Sequence, residues 1–395
     1  MEKDLRYRFL LFQNYKIRKT IFWLILALLF FTALIFIIIF PFKKKYAEKY
    51  NYLTVGICGC VNDRGVYRLP ENSDLATLIY YAKGVSSRGD IRNLDLDQVL
   101  VNNSVYSIPC RKAELDTSKI DITVNHKAKI DTVDQKLTNF LYVGFPAVYF
   151  LIQYSTTHKL INVIYLPHSS VFLNNDYRLI DLFFTLGIDQ TMDILQKSLN
   201  QRIDHYYIQN KFSFIKMINE LGGLKLDIDA SFASAYNLDT RTQILEGELC
   251  YEYIRFIDKK HYYSAGKSES YKDLKLKIKN IQLAYTQRQM RQKKVIQALY
   301  KKFNFDDLQS NISTIKEIIN EGTVNTSISF KDAIWIFRGL MKGSKLSFGT
   351  LPGYYKESGN STYYIPSGPG FEMLRRRQVR GLFELNKENN EQILY

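Results

Sequence analysis

An uncharged stretch near the start of the chain constrains its architecture more than any other feature. Residues 20–42 read TIFWLILALLFFTALIFIIIFPF and contain no ionisable side chain. As a helix that rises about 1.5 Å per residue, this stretch would be roughly 33 Å long, which matches the hydrocarbon core of a bilayer. Because lipid offers no hydrogen bonds to the backbone, a span of this length has to be helical. We therefore predict one transmembrane helix at residues 20–42.

The flanks of this stretch predict a retained anchor with the bulk of the chain on one side of the membrane. Lys43, Lys44 and Lys45 follow it directly, with no small-x-small cleavage pattern, so it differs from a cleaved signal peptide. Six basic residues precede the stretch and four follow it by Lys49, which favours a cytoplasmic N-terminus. We expect residues 1–19 to be a cytoplasmic segment and the remainder to be extracytoplasmic.

The composition permits a sizeable folded part with an anionic partner. The chain has 395 residues, 46% of them hydrophobic, which is enough for two or three domains. Its formal net charge of +15 favours phosphates, acidic polymers, lipid headgroups or nucleic acid. A DNA-binding regulator is disfavoured by the membrane span and by the lack of a helix-turn-helix pattern, so no nucleic-acid partner is expected.

The four cysteines are too few for a disulfide scaffold. Cys58 and Cys60 are two residues apart, so in a strand they would point to the same face and would not easily bond to each other. Cys110 ends the next apolar segment and could reach one of them, and a Cys60–Cys110 bridge is one of the alternatives. Cys250 lies in an apolar stretch and is predicted to be a core residue. No Cys/His spacing resembles a zinc site.

Residues 51–111 show the pattern of a small β-grasp domain. YLTVGICGCV and VYRLP read as strands separated by a turn, and NSVYSIPC reads as a further strand. Between them DLATLIYYAKG reads as a helix capped at Ser73 or Asp74 and stopped at Gly84. The order of these segments resembles the SLBB family of soluble-ligand-binding β-grasp domains, although Arg64 stands at the turn proline and Lys83 at the middle glycine of its A-G-G motif. This resemblance implies binding of a saccharide or polysaccharide.

A larger α/β unit follows a polar linker, over about residues 130–385. Strands are predicted at Leu137–Val143, Tyr149–Tyr154 and LINVIYLP, and helices at Leu179–Leu199 and FSFIKMINELGG. A long basic helix is predicted at Tyr271–Phe303. Strands that alternate with helices favour an α/β sandwich.

This unit resembles the LytR-CpsA-Psr (LCP) family over roughly Lys136 to Leu385. The matching segments stand in the order in which the family has them: LINVIYLPHSSVF, IDHYYIQNKFSFIKMINELGGLKLDI, ILEGELCYEYIRF, QRQMRQKKVIQALYKKF, TLPGYY and STYYIPS. The resemblance implies an α/β/α sandwich that encloses an apolar tunnel for a lipid. It also implies a phosphotransferase on the outer face of the bacterial cytoplasmic membrane. Such an enzyme takes a glycopolymer from a polyprenyl-pyrophosphate carrier and links it to the cell envelope through a phosphodiester.

The residues retained from the family motifs suit a pyrophosphate. Arg255 matches the arginine of the Y-x-R motif, and Arg288, Arg291 and Gln292 match the R-x-x-R-Q helix. The spacing of three and four residues places the last three side chains on one face of a helix. Arginine supplies permanently charged, bidentate donors for phosphate oxygens. We predict that Arg255 and Arg288 are catalytic and that these four residues, together with His168, bind the pyrophosphate.

The acidic positions of the family are replaced in this chain. His168 and Ser169 stand where the family has arginine and aspartate, and Tyr285 and Ala147 stand where two further aspartates are expected. Ile257 replaces a second arginine. The resemblance implies a Mg²⁺ cofactor, but a site without carboxylates binds Mg²⁺ poorly. Asp258 is the nearby acid that could substitute as a metal ligand.

Two functions therefore follow from the sequence. In the first, the chain is a divergent transferase that acts on a polyprenyl-pyrophosphate-linked glycan. In the second, it is a catalytically inactive scaffold that binds lipid-linked or free envelope polysaccharide. The retained arginines and the membrane anchor favour the first function, whereas the missing acids and the added saccharide-binding domain favour the second.

Overall fold

The computed structural model describes residues 51–112, 137–144, 147–155, 159–172, 177–258, 271–305, 324–329, 333, 344–358 and 361–368. The predicted membrane helix at residues 20–42 and the segment 1–19 lie outside these ranges. Within them, no helix is both long enough and apolar enough to cross a membrane.

The N-terminal part, here called the small unit (residues 51–112), is a three-stranded sheet with one helix. Strand β1 (Tyr52–Gly59) pairs antiparallel with β2 (Gly65–Pro70) and parallel with β3 (Val105–Ile108). Helix α1 (Leu75–Tyr81) begins after Asp74, whose carboxylate accepts a hydrogen bond from the amide of Thr77. The strands and the helix lie where the sequence predicts them. The SLBB resemblance itself stays a prediction.

The remainder, here called the large unit (residues 137–368), is built on a mixed six-stranded sheet with the strand order β10-β7-β4-β5-β6-β11. Strands β4, β5 and β6 are antiparallel neighbours, whereas β7 pairs parallel with β4 and β11 pairs parallel with β6. The bounds are β4 Leu137–Gly144, β5 Val148–Ser155, β6 Leu160–Leu166, β7 His205–Gln209, β10 Val324–Thr326 and β11 Lys345–Thr350.

Helices cover both faces of this sheet, which confirms the mixed α/β fold class. On one face Leu141, Leu151 and Ile164 pack with helix α2 (Leu179–Leu199). On the other face the alternate residues, such as Phe150 and Val163, pack against the long helix α6. Alternation with a period of two residues explains why both faces of the central strands are apolar.

Helix α6 (Tyr271–Phe305) connects the sheet with a third cluster of elements. Its Val295 packs in that cluster, and its Ile296 packs on the sheet. The elements of the third cluster and the last hairpin are α3 Lys211–Glu220, β8 Leu224–Asp227, α4 Ala230–Tyr236, β9 Thr242–Leu245, α5 Gly247–Arg255, β12 Gly353–Ser358 and β13 Ser361–Pro366.

The small and large units share one hydrophobic core. Ile79 of α1 and Phe184 of α2 belong to the same buried cluster, and the described residues from Tyr52 onward form a single compact unit. The amide of Val85 donates a 2.8 Å hydrogen bond to the carbonyl of Phe184. The Tyr80 ring stacks on Phe183 with 6.4 Å between the ring centroids.

One disulfide closes the small unit. Cys60, just after β1, is bonded to Cys110, just after β3. Of the alternatives for Cys110, the structure therefore contains the Cys60–Cys110 bridge. Cys58 is a free, partly buried thiol, and Cys250 is fully buried in the third cluster, which confirms its assignment to the core.

Candidate functional site

The C-terminal end of α5 meets one face of α6, and this contact positions the motif residues. The carbonyl of Ile254 accepts hydrogen bonds from Nε of Arg288 at 3.4 Å and from Nε2 of Gln292 at 3.2 Å. The carbonyl of Phe256 accepts one from Nη1 of Arg291 at 3.0 Å. The last carbonyls of a helix have no partner within the helix, so α6 side chains cap α5. This confirms the shared helical face that the spacing predicts.

Arg291 is committed to contacts inside the protein. Its Nε and Nη2 atoms donate to the two oxygens of Asp229 at 2.8 and 2.9 Å, and Nη2 also donates to Ser231 at 2.8 Å. Together with the Phe256 carbonyl, four of its five N–H groups are thus used. These contacts assign Arg291 to holding α4 against α6, and its binding of a pyrophosphate stays a prediction.

Arg288 is buried but has few partners. It is 4% exposed, and its Nε atom donates a long hydrogen bond of 3.4 Å to the carbonyl of Ile254. Its Nη2 atom has no partner among the described residues. Within that part of the chain, no carboxylate lies at ion-pair distance from it. A buried guanidinium with unused donors is costly unless an anion approaches it. The arrangement therefore favours an anionic ligand at Arg288.

The segment that follows β6 supplies further unused polar atoms. Nδ1 of His168 and the hydroxyls of Ser169 and Ser170 are buried and make no hydrogen bond to any described residue. Burial, with the nearby charges of Arg288 and Arg178, lowers the pKa of His168 to about 3. His168 is therefore neutral at pH 7, and its imidazole can still donate one hydrogen bond to a phosphate oxygen.

Tyr285 occupies a position where the family has an aspartate. Its ring lies 5.6 Å from that of His168 and stacks on Tyr355 at 5.3 Å. Ile257, which replaces a second arginine, packs against the core shared by the two units. Ala147 and Ser169 are likewise buried. Aromatic and aliphatic packing thus takes the place of charge at these positions.

Arg255 faces the small unit. Its Nη2 atom lies 3.6 Å from Oδ2 of Asp97, and its Nη1 atom lies 3.6 Å from Glu252. The Arg255 side chain is 23% exposed, so it can be reached from solvent. Asp97 also interacts electrostatically with Arg288, so both predicted catalytic arginines lie near one carboxylate. No sequence motif pointed to Asp97, because it belongs to the other predicted domain.

A second charged cluster was also missed by the sequence analysis. Asp181 is buried and forms a bidentate pair with Arg178 at 2.9 and 3.0 Å. Arg111 of the small unit lies 3.7 Å from the same carboxylate. Arg178 is also close enough to His168 to affect its pKa. A basic environment therefore extends from Arg288 past His168 to the ion pair at the start of α2.

The described residues do not suit a resident Mg²⁺ ion. Among them, no three His, Cys, Asp or Glu side chains lie together as ligands. Asp97 and Asp181 each face guanidinium groups, and Mg²⁺ is bound through carboxylates and waters. Asp258 lies just beyond α5 and is partly exposed. The Mg²⁺ cofactor and its Asp258 ligand therefore stay predictions, and the chemistry below uses the protein's own cations.

Comparison with known proteins bears on the large unit. The LytR_cpsA_psr family model matches residues 153–266, a range that contains His168, Arg255 and Asp258 but ends before Arg288. Among curated proteins, none matches the chain.

Several solved structures are similar to the chain. TagT of Bacillus subtilis is 18% identical with a TM-score of 0.46, covering 65% of this chain and 95% of TagT. TagV of B. subtilis is 17% identical with a TM-score of 0.48, covering 64% and 99%. TagT has also been solved with bound octaprenyl pyrophosphate lipid, in a structure 18% identical with a TM-score of 0.44 that covers 66% and 92%.

The family match and the motif order agree for the central part of the chain. Residues 153–266 match the model of the LytR-CpsA-Psr family, as the sequence motifs predicted.

Proposed function

We propose that this chain is a membrane-anchored, extracytoplasmic phosphotransferase. It takes a glycopolymer from a polyprenyl-pyrophosphate carrier and attaches it to the bacterial cell envelope through a phosphodiester. The family match supports the reaction class. The predicted helix at residues 20–42 supports the location, because a carrier with an isoprenoid tail has to be met at the membrane.

The observation that carries this proposal is the buried guanidinium of Arg288, with Nη2 unused within the described chain. Neutral His168, which is close enough to Arg288 for that charge to lower its pKa, and the hydroxyls of Ser169 and Ser170, which follow it in the chain, offer donors that carry no competing negative charge. A phosphate group accepts hydrogen bonds through several oxygens and would satisfy these donors together. The geometry therefore suits a phosphate better than a neutral sugar.

Arg255 supplies the second charge that a pyrophosphate needs. Phosphoryl transfer gains most from positioning and from neutralising the charge that develops on the transferred and leaving oxygens. Arg288 lies in the interior, whereas Arg255 is partly exposed and faces the small unit. We assign Arg288 to anchoring the diphosphate and Arg255 to the phosphate nearer solvent, where an acceptor hydroxyl arrives.

The test compares Arg288→Ala and Arg255→Ala with wild type in binding and in turnover. The full-length chain is titrated with octaprenyl pyrophosphate, and release of octaprenyl phosphate is followed from an octaprenyl-pyrophosphoryl glycan with an acceptor. Truncating one partner of a desolvated charge contact costs about 2 kcal/mol or more, so Arg288→Ala should bind about 30-fold more weakly. Arg241→Ala is the matched control, because Arg241 is exposed and forms an ion pair with Asp239, which is also exposed.

The outcomes separate the two functions. The transferase is supported if wild type binds octaprenyl pyrophosphate and releases octaprenyl phosphate, and if both arginine variants lose this turnover. Binding without turnover in wild type, at any Mg²⁺ concentration, supports the inactive scaffold that holds lipid-linked or free envelope polysaccharide. Unchanged octaprenyl pyrophosphate affinity in Arg288→Ala contradicts the site assignment under either function.

A further inference from the structure

The loop that carries Asp97 is held firmly against the first turn of α1. The amide of Leu75 donates to the carbonyl of Gln98 at 3.0 Å, and the amide of Ala76 donates to that of Leu96 at 3.0 Å. These are first-turn amides, which have no acceptor within the helix. The carbonyls on both sides of Asp97 are thereby fixed. The position of its carboxylate is set by the fold of the small unit.

Helix α5 ties this loop to the large unit. The hydroxyl of Tyr251 donates a 3.1 Å hydrogen bond to Asp74, the residue that caps α1. One turn further along α5, Arg255 approaches Oδ2 of Asp97 at 3.6 Å. Two contacts at this spacing on one helix align the small unit with α5. They hold the Asp97 carboxylate beside the arginines of the large unit.

The second oxygen of Asp97 is unused. Oδ1 is buried and has no hydrogen-bond partner among the described residues, although the Asp97 side chain as a whole is 23% exposed. A buried carboxylate oxygen normally has a donor. A hydroxyl group that approaches from the exposed side of the pair would supply one.

We propose that Asp97, contributed by the small unit, is the general base that accepts the proton of the acceptor hydroxyl. This inference rests on the proposed function. The acceptor oxygen attacks the phosphorus that is bonded to the glycan, and a new P–O bond forms. The bond from that phosphorus to the bridging oxygen breaks, and polyprenyl phosphate leaves with the electron pair. The proton passes from the acceptor hydroxyl to Oδ1 of Asp97.

The environment of Asp97 suits this role. Burial raises the pKa of the Asp97 carboxyl, and the arginine charges oppose that rise. A raised pKa makes the carboxylate a stronger base than that of an exposed aspartate. The charged and titratable groups that face it are Arg255 and Tyr251 on α5, Arg288 on α6, Asp74 at the start of α1, and Asp95 in its own loop.

The proposal also accounts for the replaced acids of the large unit. Ser169 and Tyr285 stand where the family has aspartates, and both are buried. Asp97 brings a carboxylate of the small unit beside Arg255, in addition to Glu252 of α5, without any acid at those two positions. The small unit then completes the site as well as adding a domain.

The experiment uses the full-length chain and the Asp97→Asn, Asp97→Glu and Asp63→Asn variants. In Asp97→Asn, release of octaprenyl phosphate should fall about 100-fold or more, the range for loss of a general base. Affinity for octaprenyl pyrophosphate should stay equal or rise, because a negative charge facing Arg255 and Arg288 is removed. Asp97→Glu should recover part of the turnover. Asp63→Asn should match wild type, since Asp63 forms an exposed pair with Lys83 in the same unit.

The pH profile separates a base from a structural residue. Wild-type turnover should fall in acid as Asp97 becomes protonated, and this acid limb should be missing from the residual activity of Asp97→Asn. Parallel loss of affinity and turnover, or unchanged turnover in Asp97→Asn, overturns the inference. A wild-type chain that binds the lipid but releases no octaprenyl phosphate contradicts the proposed transfer and the base role together. An active wild type with an equally active Asp97→Asn contradicts the base role alone.

Discussion

Arg288 and Arg291 lie three residues apart on α6 but differ in what their charge contacts. Arg291 donates to Asp229, Ser231 and a backbone carbonyl, whereas Arg288 keeps a buried donor unused within the described chain. The spacing in the sequence predicts that both side chains share a face. It could not predict which of them is satisfied, because Asp229 is 62 residues away from Arg291 along the chain.

Replacing Arg291 should therefore reduce stability more than ligand binding. Removing one partner of a desolvated ion pair typically costs 3–5 kcal/mol, and Asp229 is partly exposed, so we expect Arg291→Ala to lower the free energy of unfolding by about 3 kcal/mol. Urea denaturation measures this change. Arg241→Ala, which removes an exposed pair, should cost less than about 1 kcal/mol. If Arg291→Ala and Arg241→Ala unfold at a similar urea midpoint, the ion pair with Asp229 contributes little to stability.

The Arg291–Asp229 pair also makes the free energy of unfolding depend on pH. Burial alone would raise the pKa of Asp229, but hydrogen bonds from Arg291 and Ser231 outweigh it and hold the pKa well below its usual range. The stabilisation is therefore present above the pKa of about 4 that the unfolded chain has, and it is lost as the pH falls through the lower folded value. The difference between wild type and Arg291→Ala should shrink in acid.

His168 should titrate far below an ordinary histidine and should respond to an anion. In the free protein its pKa is lowered to about 3 by burial and by two arginines. Inorganic pyrophosphate bound at Arg288 would offset that positive charge, so the His168 pKa should rise. NMR titration of the imidazole signal, assigned with His168→Gln, measures the change. A midpoint near 6.5 in the free protein, or no change with pyrophosphate, contradicts the buried site.

At the scale of elements, the sequence predicts the regular strands and helices. It predicts the turns that connect them only in part. The apolar periodicity located β1, α1 and α2, and Asp74 capped the first helix as expected. The predicted stop at Gly84 is preceded by Lys83 with φ +58°, a conformation that glycine adopts more easily. Lys83 stands at the position matched to the middle glycine of the SLBB motif, a resemblance that stays a prediction.

Elements α4 and β9 were missed because they are short. The helix Ala230–Tyr236 has 7 residues, or about two turns, and Thr242–Leu245 has four strand residues. Segments of this length carry too few apolar repeats to show a period. Their position depends on long-range contacts, such as the stacking of Phe232 in α4 on Tyr236 and its edge contact with Phe256 after α5.

Gly84 should be required for docking α1 onto α2. Its φ is +85°, and a Cβ atom there would lie 2.1 Å from the carbonyl oxygen of Phe184. Gly84→Ala combines a left-handed alanine, at about 1–2 kcal/mol, with a backbone clash, so we expect a loss of more than 2 kcal/mol in unfolding free energy. Gly65→Ala is the control, because nothing lies within 4 Å of its added Cβ. Equal stability of the two variants would contradict the tight approach.

The Cys60–Cys110 disulfide should stabilise the small unit through its unfolded state. The two residues are 50 apart, and closing a loop of that length is worth about 4 kcal/mol in the chain-entropy description. The double variant Cys60→Ser/Cys110→Ser should lose about that much free energy of unfolding. Urea denaturation should therefore show a lower midpoint for this variant than for wild type. Cys58→Ser serves as the control, because Cys58 is a free thiol. A wild type whose stability does not change with reductant would argue against the bridge.

At the scale of the molecule, the sequence predicts two units, whereas the structure packs the described residues from Tyr52 onward into one unit. Both units are visible in the sequence because each has its own order of strands and helices. Their union was not visible, since it is made by pairs that are distant in the chain, such as Tyr251 with Asp74 and Arg255 with Asp97. The same holds for the candidate site. The motifs predict its arginines in the large unit, but no motif predicts its carboxylate in the small unit.

A shared core predicts that the two units open together. Ile79 of α1 and Leu182 of α2 lie in one buried cluster, and the Val85–Phe184 hydrogen bond crosses between the units. Amide hydrogen exchange in the native state reports the free energy of each opening. The α1 and α2 amides should therefore exchange with free energies within about 1 kcal/mol of each other, and Gly84→Ala should lower both. If the opening free energy of α1 is several kcal/mol lower than that of α2, the two units are instead separately folding domains. Asp97 would then move away from the arginines whenever the small unit opens.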